Sequence, residues 1–462
     1  MDVVEDIVED VDLLVVGGGK AGKTLAMDTA RAGRRVVMVE KSMIGGSCVN
    51  VACIPTKTLV TSARLARRAA GAESLGLRLG SPRVDLELLR AHKEGVVSDM
   101  VELNRRQFLD SGMDFVLGAA RFVAERTVEI RLADGSRRVV RGTDVVINTG
   151  TEPHVAAIPG LAGAEPLTSE SILRLRRIPK RLVVIGAGYV GLEFADMFAA
   201  FGSRVTVLER GPHLLRNEDR DIASALAACL RADGVELVFD VTVKEVVREG
   251  RTVRVLLADG RSLTADDVLA ATGRVPVTRD LGLEAAGVRT DGRGFVRVDD
   301  RLATDAPRTW AVGDVAGGAQ FTHVSLDDYR VVKANIDGGT RSTAGRLVPW
   351  NLFTDPELAR IGLTEEQARA TGRAIRVAKL PVGAVPRART LRETRGLWKA
   401  VVDRDSEQIL GAALLGPESA EVLSVVQTAM WAGLPFTRLR DGMIAHPTMA
   451  EGLNALFSSW VD

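Results

Sequence analysis

The chain has 462 residues, 46% of them hydrophobic and 26% charged, with 61 Lys+Arg against 60 Asp+Glu. One hydrophobic core is too few for that length, so about two to four domains are expected. The even charge balance gives no bulk field for nucleic acid or an anionic membrane, no apolar run approaches the ~18 residues of a membrane span, and the acidic opening Met1–Asp12 lacks the features of a secretory signal.

Residues 12 to 40 read as strand, glycine turn, helix, strand. Asp12–Val16 is a buried parallel-type strand, and Gly17-Gly18-Gly19-Lys20-Ala21-Gly22 follows. A helix Lys23–Arg31 stops at Gly33, and a strand Arg35–Val39 ends in Glu40. Gly17, Gly19 and Gly22 permit a tight turn and close approach of a pyrophosphate to a helix N-terminus. Glu40 can accept hydrogen bonds from a ribose, with Lys41 beside it.

Gly45-Gly46-Ser47-Cys48-Val49-Asn50-Val51-Ala52-Cys53-Ile54-Pro55-Thr56-Lys57 comes next and holds two of the three cysteines. So few cysteines cannot form a disulfide scaffold, and the chain reads as cytoplasmic. Such a close pair is a metal half-site, a structural staple or a redox dithiol. In a regular helix, residues five apart rise about 7.5 Å, beyond the roughly 4.4–6.8 Å between Cα atoms that a disulfide spans. If the pair oxidises, the backbone between the two must leave the helix. Pro55 suits a first helical position. Cys53 would then sit at a helix N-terminus, where the dipole favours a thiolate.

The first unit recurs. Leu182–Ile185, the turn Gly186-Ala187-Gly188-Tyr189-Val190-Gly191, a helix through Phe201 and a strand Arg204–Leu208 ending in Glu209 repeat its order. One offset of 169 residues carries Gly17, Gly19, Gly22 and Glu40 onto Gly186, Gly188, Gly191 and Glu209 (186 − 17; 209 − 40). Two copies in matching frames point to two dinucleotide sites. Strands ending in Thr149-Gly150 and Thr272-Gly273 read as chain crossings, which makes residues 151–275 an inserted nucleotide domain. Residues 126–142 and 238–264 alternate like antiparallel meanders with Asp-Gly turns. The strand Thr309–Val312 leads into Gly313-Asp314. After about residue 346 a separate α+β domain is expected, with strands in 350–363, 375–382, 397–403 and 409–415. The arginine runs at 64–68 and 174–181 read as solvated helix faces and ends. Cys229, in an amphipathic helix over 221–232, reads as a small buried hydrophobe. His446-Pro447-Thr448-Met449-Ala450-Glu451 offers an acid–base histidine and a carboxylate to orient it.

Together, G-G-x-C-x(4)-C-I-P-T-K, two dinucleotide units, the Gly313-Asp314 motif and His446-Pro-Thr-x-x-Glu451 resemble the pyridine nucleotide–disulfide oxidoreductases across residues 11–460. Gly19–Ala26, Gly317–Thr322, Ser325–Arg330 and Val385–Arg389 resemble the reactive-chlorine-resistance branch (RclA type). The resemblance implies an α/β fold with two Rossmann-like dinucleotide-binding domains, for FAD and NAD(P), and a C-terminal α+β dimerisation domain. Domain limits of 1–150, 151–275, 276–345 and 346–462 follow. It implies FAD on the first unit, with Gly46, Ser47, Thr149, Gly150, Gly313 and Asp314 in its site and Lys57 near the flavin, paired with Glu193. It implies NAD(P)H on the second unit, with Gly273 contributing and Tyr189 as a lid over the nicotinamide. The electron pair then reaches a Cys48–Cys53 disulfide. Cys53 faces the flavin as the charge-transfer thiolate, Cys48 attacks substrate, and His446 with Glu451 serves the other subunit of a homodimer.

Lys57 as a surface lysine and Tyr189 as simple helix packing are the plain alternatives. Glu209 favours NADH, since a carboxylate repels a 2′-phosphate, although Arg210 and Arg216 lie close. The family usually has glycine just before the second cysteine, where Ala52 stands here. The expected reaction is NAD(P)H-driven reduction of a small oxidant, such as hypothiocyanous acid or cupric ion, or of a disulfide, with no nucleic acid, membrane or metal partner. Dihydrolipoamide dehydrogenase and glutathione reductase are alternatives. Mercuric reductase is a further one, against which stand the tail Leu456–Asp462 without vicinal cysteines and the expected absence of an N-terminal metal-binding domain. A structural zinc protein would need about four ligands, and the five histidines are scattered.

Overall fold

The computed structural model describes residues 8–80 and 82–461. Most of the acidic N-terminal run, and Asp462 at the end of the C-terminal tail, lie outside these. The chain divides into two compact units. The first comprises Met1–Thr58, Arg90–His154 and Gly273–Arg346, and the second Leu59–Leu89, Val155–Thr272 and Leu347–Asp462.

In the first unit, β1 (Val8–Val16) lies between β2 (Val36–Glu40) and a later strand, parallel to both. Leu13 to Val16 are at most 2% exposed. Burial on both faces of a central parallel strand explains why this stretch is an unbroken apolar run. β4 (Thr127–Leu132) and β5 (Arg137–Ile147) pair as the antiparallel meander expected at 126–142, and β3 (Asp114–Ala124), ahead of that range, adds a third strand. The long outer strands do double service. Asp114–Leu117 of β3 pairs with β2, and Val139–Ile147 of β5 pairs with β1. The strand Thr309–Ala311 joins the far side of β5. Helix α1 (Lys20–Arg31) begins three residues before the expected start, inside the glycine turn. Two helices follow in the cysteine stretch: the short α2 (Ser47–Asn50) and the start of the long α3 (Cys53–Ala70). α4 is Leu86–Ser111.

The second unit holds a parallel sheet in which Arg181–Ile185 lies between Asp267–Ala270 and Arg204–Leu208. It also holds the meander Val243–Glu249, Thr252–Leu257, Ser262–Ala265. Residues 350–461 add a six-stranded sheet containing the four expected stretches, against which the helix Ser419–Trp431 packs. Trp398 is fully buried at its core. The first stretch divides in two, Trp350–Leu352 and Glu357–Gly362, which pair antiparallel across 353–356.

The arginine run at 64–68 corrects the sequence reading. Arg68 is exposed, but the Arg67 side chain is only 18% exposed and pairs with Asp196 (2.9 Å), Asp355 (3.2 Å) and Asp233 (3.8 Å). Arg64 reaches Glu357 at 3.1 Å and the Thr354 carbonyl at 2.9 Å. The carboxylates come from segments more than 120 residues away in sequence, so a local charge pattern could not reveal them. Burial pushes the Asp196 carboxyl up to about 6, against the pull of Arg67. Removing the arginine strands these carboxylates, and breaking a buried pair in this way costs about 3–5 kcal/mol. Arg67→Ala is therefore expected to lower the stability of this unit by about that amount. Urea unfolding followed by tryptophan fluorescence reads it, because Trp350, Trp398, Trp431 and Trp460 all lie in this unit. A loss below ~1 kcal/mol would contradict the assignment.

Candidate active site

Backbone sterics build both glycine turns. Gly17 adopts φ +105°, and a Cβ on it would stand 2.4 Å from the Asn148 carbonyl oxygen. A Cβ on Gly22 would meet the Gly17 oxygen at 2.7 Å and Val15 Cγ1 at 2.8 Å. The second turn repeats this. Gly186 has φ +107° with Ala271 O at 2.5 Å, and Gly191 would meet Gly186 O at 2.1 Å. Gly19 and Gly188 are the N-cap residues of α1 and of the helix Tyr189–Ala200. Neither cap has a side chain of its own for the first helical N–H groups; in α1 Ala21 N donates to Ser325 Oγ at 3.2 Å, and the remaining amides make the kind of terminus that receives a pyrophosphate.

The two acids are held alike. Glu40 Oε2 accepts from Gly18 N (2.7 Å), and its Oε1 accepts from Ser42 N and Met43 N (3.0 and 3.1 Å). Glu209 Oε2 accepts from Ala187 N (2.8 Å), and its Oε1 from Gly211 N (2.9 Å). Each carboxylate is fixed at its strand end with lone pairs to spare for a ribose. Lys41, Arg210 and Arg216 are exposed. Beside the first turn, next to the half-buried Gly150, Thr149 Oγ1 is buried with no hydrogen-bond partner among the described residues. The glycine cradle and this orphan hydroxyl both fit a bound dinucleotide.

Gly313 and Asp314 follow the strand Thr309–Ala311. Gly313 N donates to Asp328 (2.8 Å), and Asp314 accepts from Thr151 Oγ1 (2.9 Å). Burial raises the Asp314 carboxyl above its ordinary range. Gly273 adopts φ +113°, and its carbonyl accepts from His154 N (3.0 Å).

The cysteine stretch lies against the first turn. Gly46, at φ +77°, caps α2, and a Cβ there would stand 2.8 Å from Gly19 Cα. Ser47 opens α2. Asn50 Nδ2 ties the loop by donating to Ile44 O and Gly46 O, both at 2.9 Å. The backbone leaves the helix at Val51 and Ala52, and Cys53 itself opens α3. Pro55 is therefore the third helical residue rather than the first. The bond from Thr56 N to Ala52 O (3.2 Å) starts the ladder just past it. The break brings the two sulfurs into hydrogen-bonding contact, and both cysteines are free thiols. Cys53 Sγ also lies 3.4 Å from Thr322 Oγ1, at the start of the helix Thr322–Ile336. The hydrogen bond with Cys53 and burial push the Cys48 thiol up, while Thr322 and Lys23 act against that. Such a pair titrates as a unit, with one proton shared between two sulfurs. Cys229 is buried, 6% exposed.

In the second unit, His446 Nδ1 lies 2.8 Å from Glu451 Oε2. A carboxylate only accepts, so Nδ1 carries the hydrogen and Nε2 is the ring nitrogen left for proton transfer. The histidine side chain is 67% exposed and that of Glu451 14%. Tyr189 packs edge-on against Trp350, with centroids 4.9 Å apart, and stays 39% exposed. Glu193 is 6% exposed and accepts from Phe353 N at 3.0 Å. Lys57 is half-buried on α3 in the first unit. Asn148, Asn50 and Thr322 escaped the sequence reading. Asn148 Nδ2 donates to Gly17 O at 3.1 Å, a support that the strand motif ending Ile147-Asn148-Thr149 could have signalled. Among the described residues, no group of three or more His, Cys, Asp or Glu is placed to hold a metal, and no helix is long and apolar enough to cross a membrane.

Because the Gly22 cradle has no room for a methyl, Gly22→Ala is expected to cut the dinucleotide retained through purification at least ~10-fold, as measured by acid extraction and absorbance. Full retention would show that the turn does not grip the cofactor.

The pyridine nucleotide-disulphide oxidoreductase family matches residues 11–328, and the dimerisation domain of the same family matches residues 348–456. The chain is 41% identical to the probable pyridine nucleotide-disulfide oxidoreductase RclA of Escherichia coli (strain K12), covering 96% of this chain and 98% of that protein. It is 34% identical to a mercuric reductase of Staphylococcus aureus, covering 96% and 81%. The structure of the Cu(II) complex of the HOCl-induced flavoprotein disulfide reductase RclA from Escherichia coli superposes with a TM-score of 0.89 at 41% identity, covering 97% of this chain and 99% of that one. The chain belongs to the pyridine nucleotide-disulfide oxidoreductases, enzymes that use FAD and a pyridine nucleotide.

Proposed function

We propose that the chain is a cytoplasmic, homodimeric NAD(P)H-dependent disulfide reductase that protects the cell against small oxidants, with hypothiocyanous acid or cupric ion as acceptor. The observation that carries this reading is the contact between the Cys48 and Cys53 sulfurs across the helix break, against the first glycine turn. The similarity to RclA supports the choice of acceptor. In this reading the FAD site is built on residues 1–150 and 276–345, the NAD(P) site on 151–275, and the dimer face on 346–462.

When bound, FAD takes up the reducing equivalents of the nicotinamide and delivers an electron pair to the disulfide. The residues of the chain do the rest. Gly17, Gly19, Gly22 and Glu40 hold FAD, with Lys41, Gly46, Ser47, Lys57, Thr149, Gly150, Gly313 and Asp314 around it. Gly186, Gly188, Gly191, Glu209, Gly273 and Tyr189 hold the nicotinamide nucleotide. Lys57 would lie near the flavin, and Cys53 would face it. Cys48 gives its proton to His446 and attacks the electrophilic sulfur of hypothiocyanous acid, and hydroxide leaves with the His446 proton as water. Cys53 then attacks the Cys48 sulfur, which re-forms the disulfide and releases thiocyanate. The sum is NADH + HOSCN → NAD⁺ + SCN⁻ + H₂O. Glu451 orients His446 and stabilises its cation, one subunit serving the dithiol of the other.

Purified enzyme is expected to oxidise NADH at least ~10-fold faster with hypothiocyanous acid than without it, and no acceleration would refute the acceptor. Cys48→Ser should abolish that turnover while NADH still reduces the flavin. His446→Gln should lower kcat by about 10²–10⁴. The carboxylate of Glu209 should favour NADH over NADPH in kcat/KM, and Glu209→Gln should narrow the ratio. The alternative of dihydrolipoamide dehydrogenase would appear as fast NAD⁺ reduction by dihydrolipoamide.

A further inference from the structure

Neither dinucleotide turn requires the lysine at position 23. Lys23 lies on the first turn of α1 and is only 6% exposed. A buried ammonium is costly unless a carboxylate neutralises it, and among the described residues Lys23 has no such partner. Its Nζ donates instead to two neutral acceptors, the Gly45 carbonyl at 3.1 Å and Asn104 Oδ1 at 2.6 Å. Asn104 Nδ2 donates to Met100 O at 2.6 Å, which fixes the amide with its oxygen toward the lysine. Gly45 stands three residues before Cys48, and a Cβ on it would lie 3.3 Å from the Asn104 amide. The ammonium is thus seated against the cysteine loop, oriented but not neutralised.

The charge acts on Cys48. Lys23 draws the thiol down, and the thiolate in turn holds Lys23 up. The Cys53 sulfur and the Thr322 hydroxyl also act on Cys48, and Lys20 also acts on Lys23. Burial, followed by Lys20, brings Lys23 down to about 8, which leaves it cationic at neutral pH. Negative charge is created at this position during the proposed cycle. Hydride from NAD(P)H amounts to an electron pair and a proton: the pair breaks the S–S bond and leaves two sulfur anions, and the proton neutralises one of them. Loss of that proton from Cys48 then places a second anion beside the first.

We propose that Lys23, set by Gly45 and Asn104, is the buried countercharge of Cys48, a positioning residue that lets the attacking sulfur exist as a thiolate. This inference rests on the reading of Cys48 as the attacking thiol. It also accounts for a charge kept inside the fold at a cost to stability.

The test uses the flavin-loaded enzyme in a Cys53→Ser background, where Cys48 titrates alone. Alkylation of Cys48 by iodoacetamide, followed by peptide mass across pH, reads its thiolate. Lys23→Met is expected to raise the midpoint by at least about one pH unit and to slow alkylation at pH 7 about 10-fold. Lys23→Arg should stay within about half a unit of the background. Asn104→Asp, which sets a carboxylate against the ammonium with little change of shape, should raise the midpoint as well, and it serves if Lys23→Met does not fold. Unchanged midpoints in Lys23→Met and Asn104→Asp overturn the proposal, whether or not flavin is retained. Flavin loss with an unchanged midpoint would make Lys23 a cofactor countercharge instead. A midpoint in Lys23→Arg as high as in Lys23→Met would also overturn it. The assay needs neither nicotinamide nor oxidant, so failure of the acceptor assignment leaves it intact.

Discussion

The constraint on which the site depends is the helix break between Cys48 and Cys53. A continuous helix would carry the two sulfurs to different sides. Ending α2 at Asn50 and restarting at Cys53 folds the backbone so that the sulfurs meet. The break is held from below by contact of Gly46 with Gly19, and from within by the double hydrogen bond of Asn50. The dithiol and the first dinucleotide turn are therefore parts of one packed object. This is what electron delivery requires, because distance between donor and acceptor is set by rigid backbone and not by mobile side chains.

The duplicated nucleotide unit shows how far backbone rules carry. Offset by 169 residues, the two turns share their glycine conformations, their close approaches to a neighbouring strand end and the way an acid is tied to backbone N–H groups. These features follow from glycine positions and strand ends, which sequence displays directly. The Asp-Gly meanders and the strands after residue 346 were legible for the same reason, since alternation and turn residues are local signals.

What could not be read depends on distant segments converging. Lys23 looks like an ordinary helical lysine until α4 brings Asn104 to it across 81 residues. Arg67 looks solvated until Asp196, Asp233 and Asp355 gather around it. Pro55 was misplaced by two positions because the proline rule marks a helix start, whereas α3 starts at Cys53, with the Ala52 carbonyl accepting from Thr56 N. For Lys23 and Arg67, tertiary contact overrode a local preference.

In the proposed cycle, electrons from the nicotinamide come to rest on Cys48 and Cys53. An anaerobic titration with NADH, with thiols alkylated and mapped by mass at each step, tests it most directly. The first equivalent of NADH is expected to make both Cys48 and Cys53 newly alkylatable while the oxidised flavin spectrum largely persists. A first equivalent that bleaches the flavin and yields no new thiol at either position would contradict it.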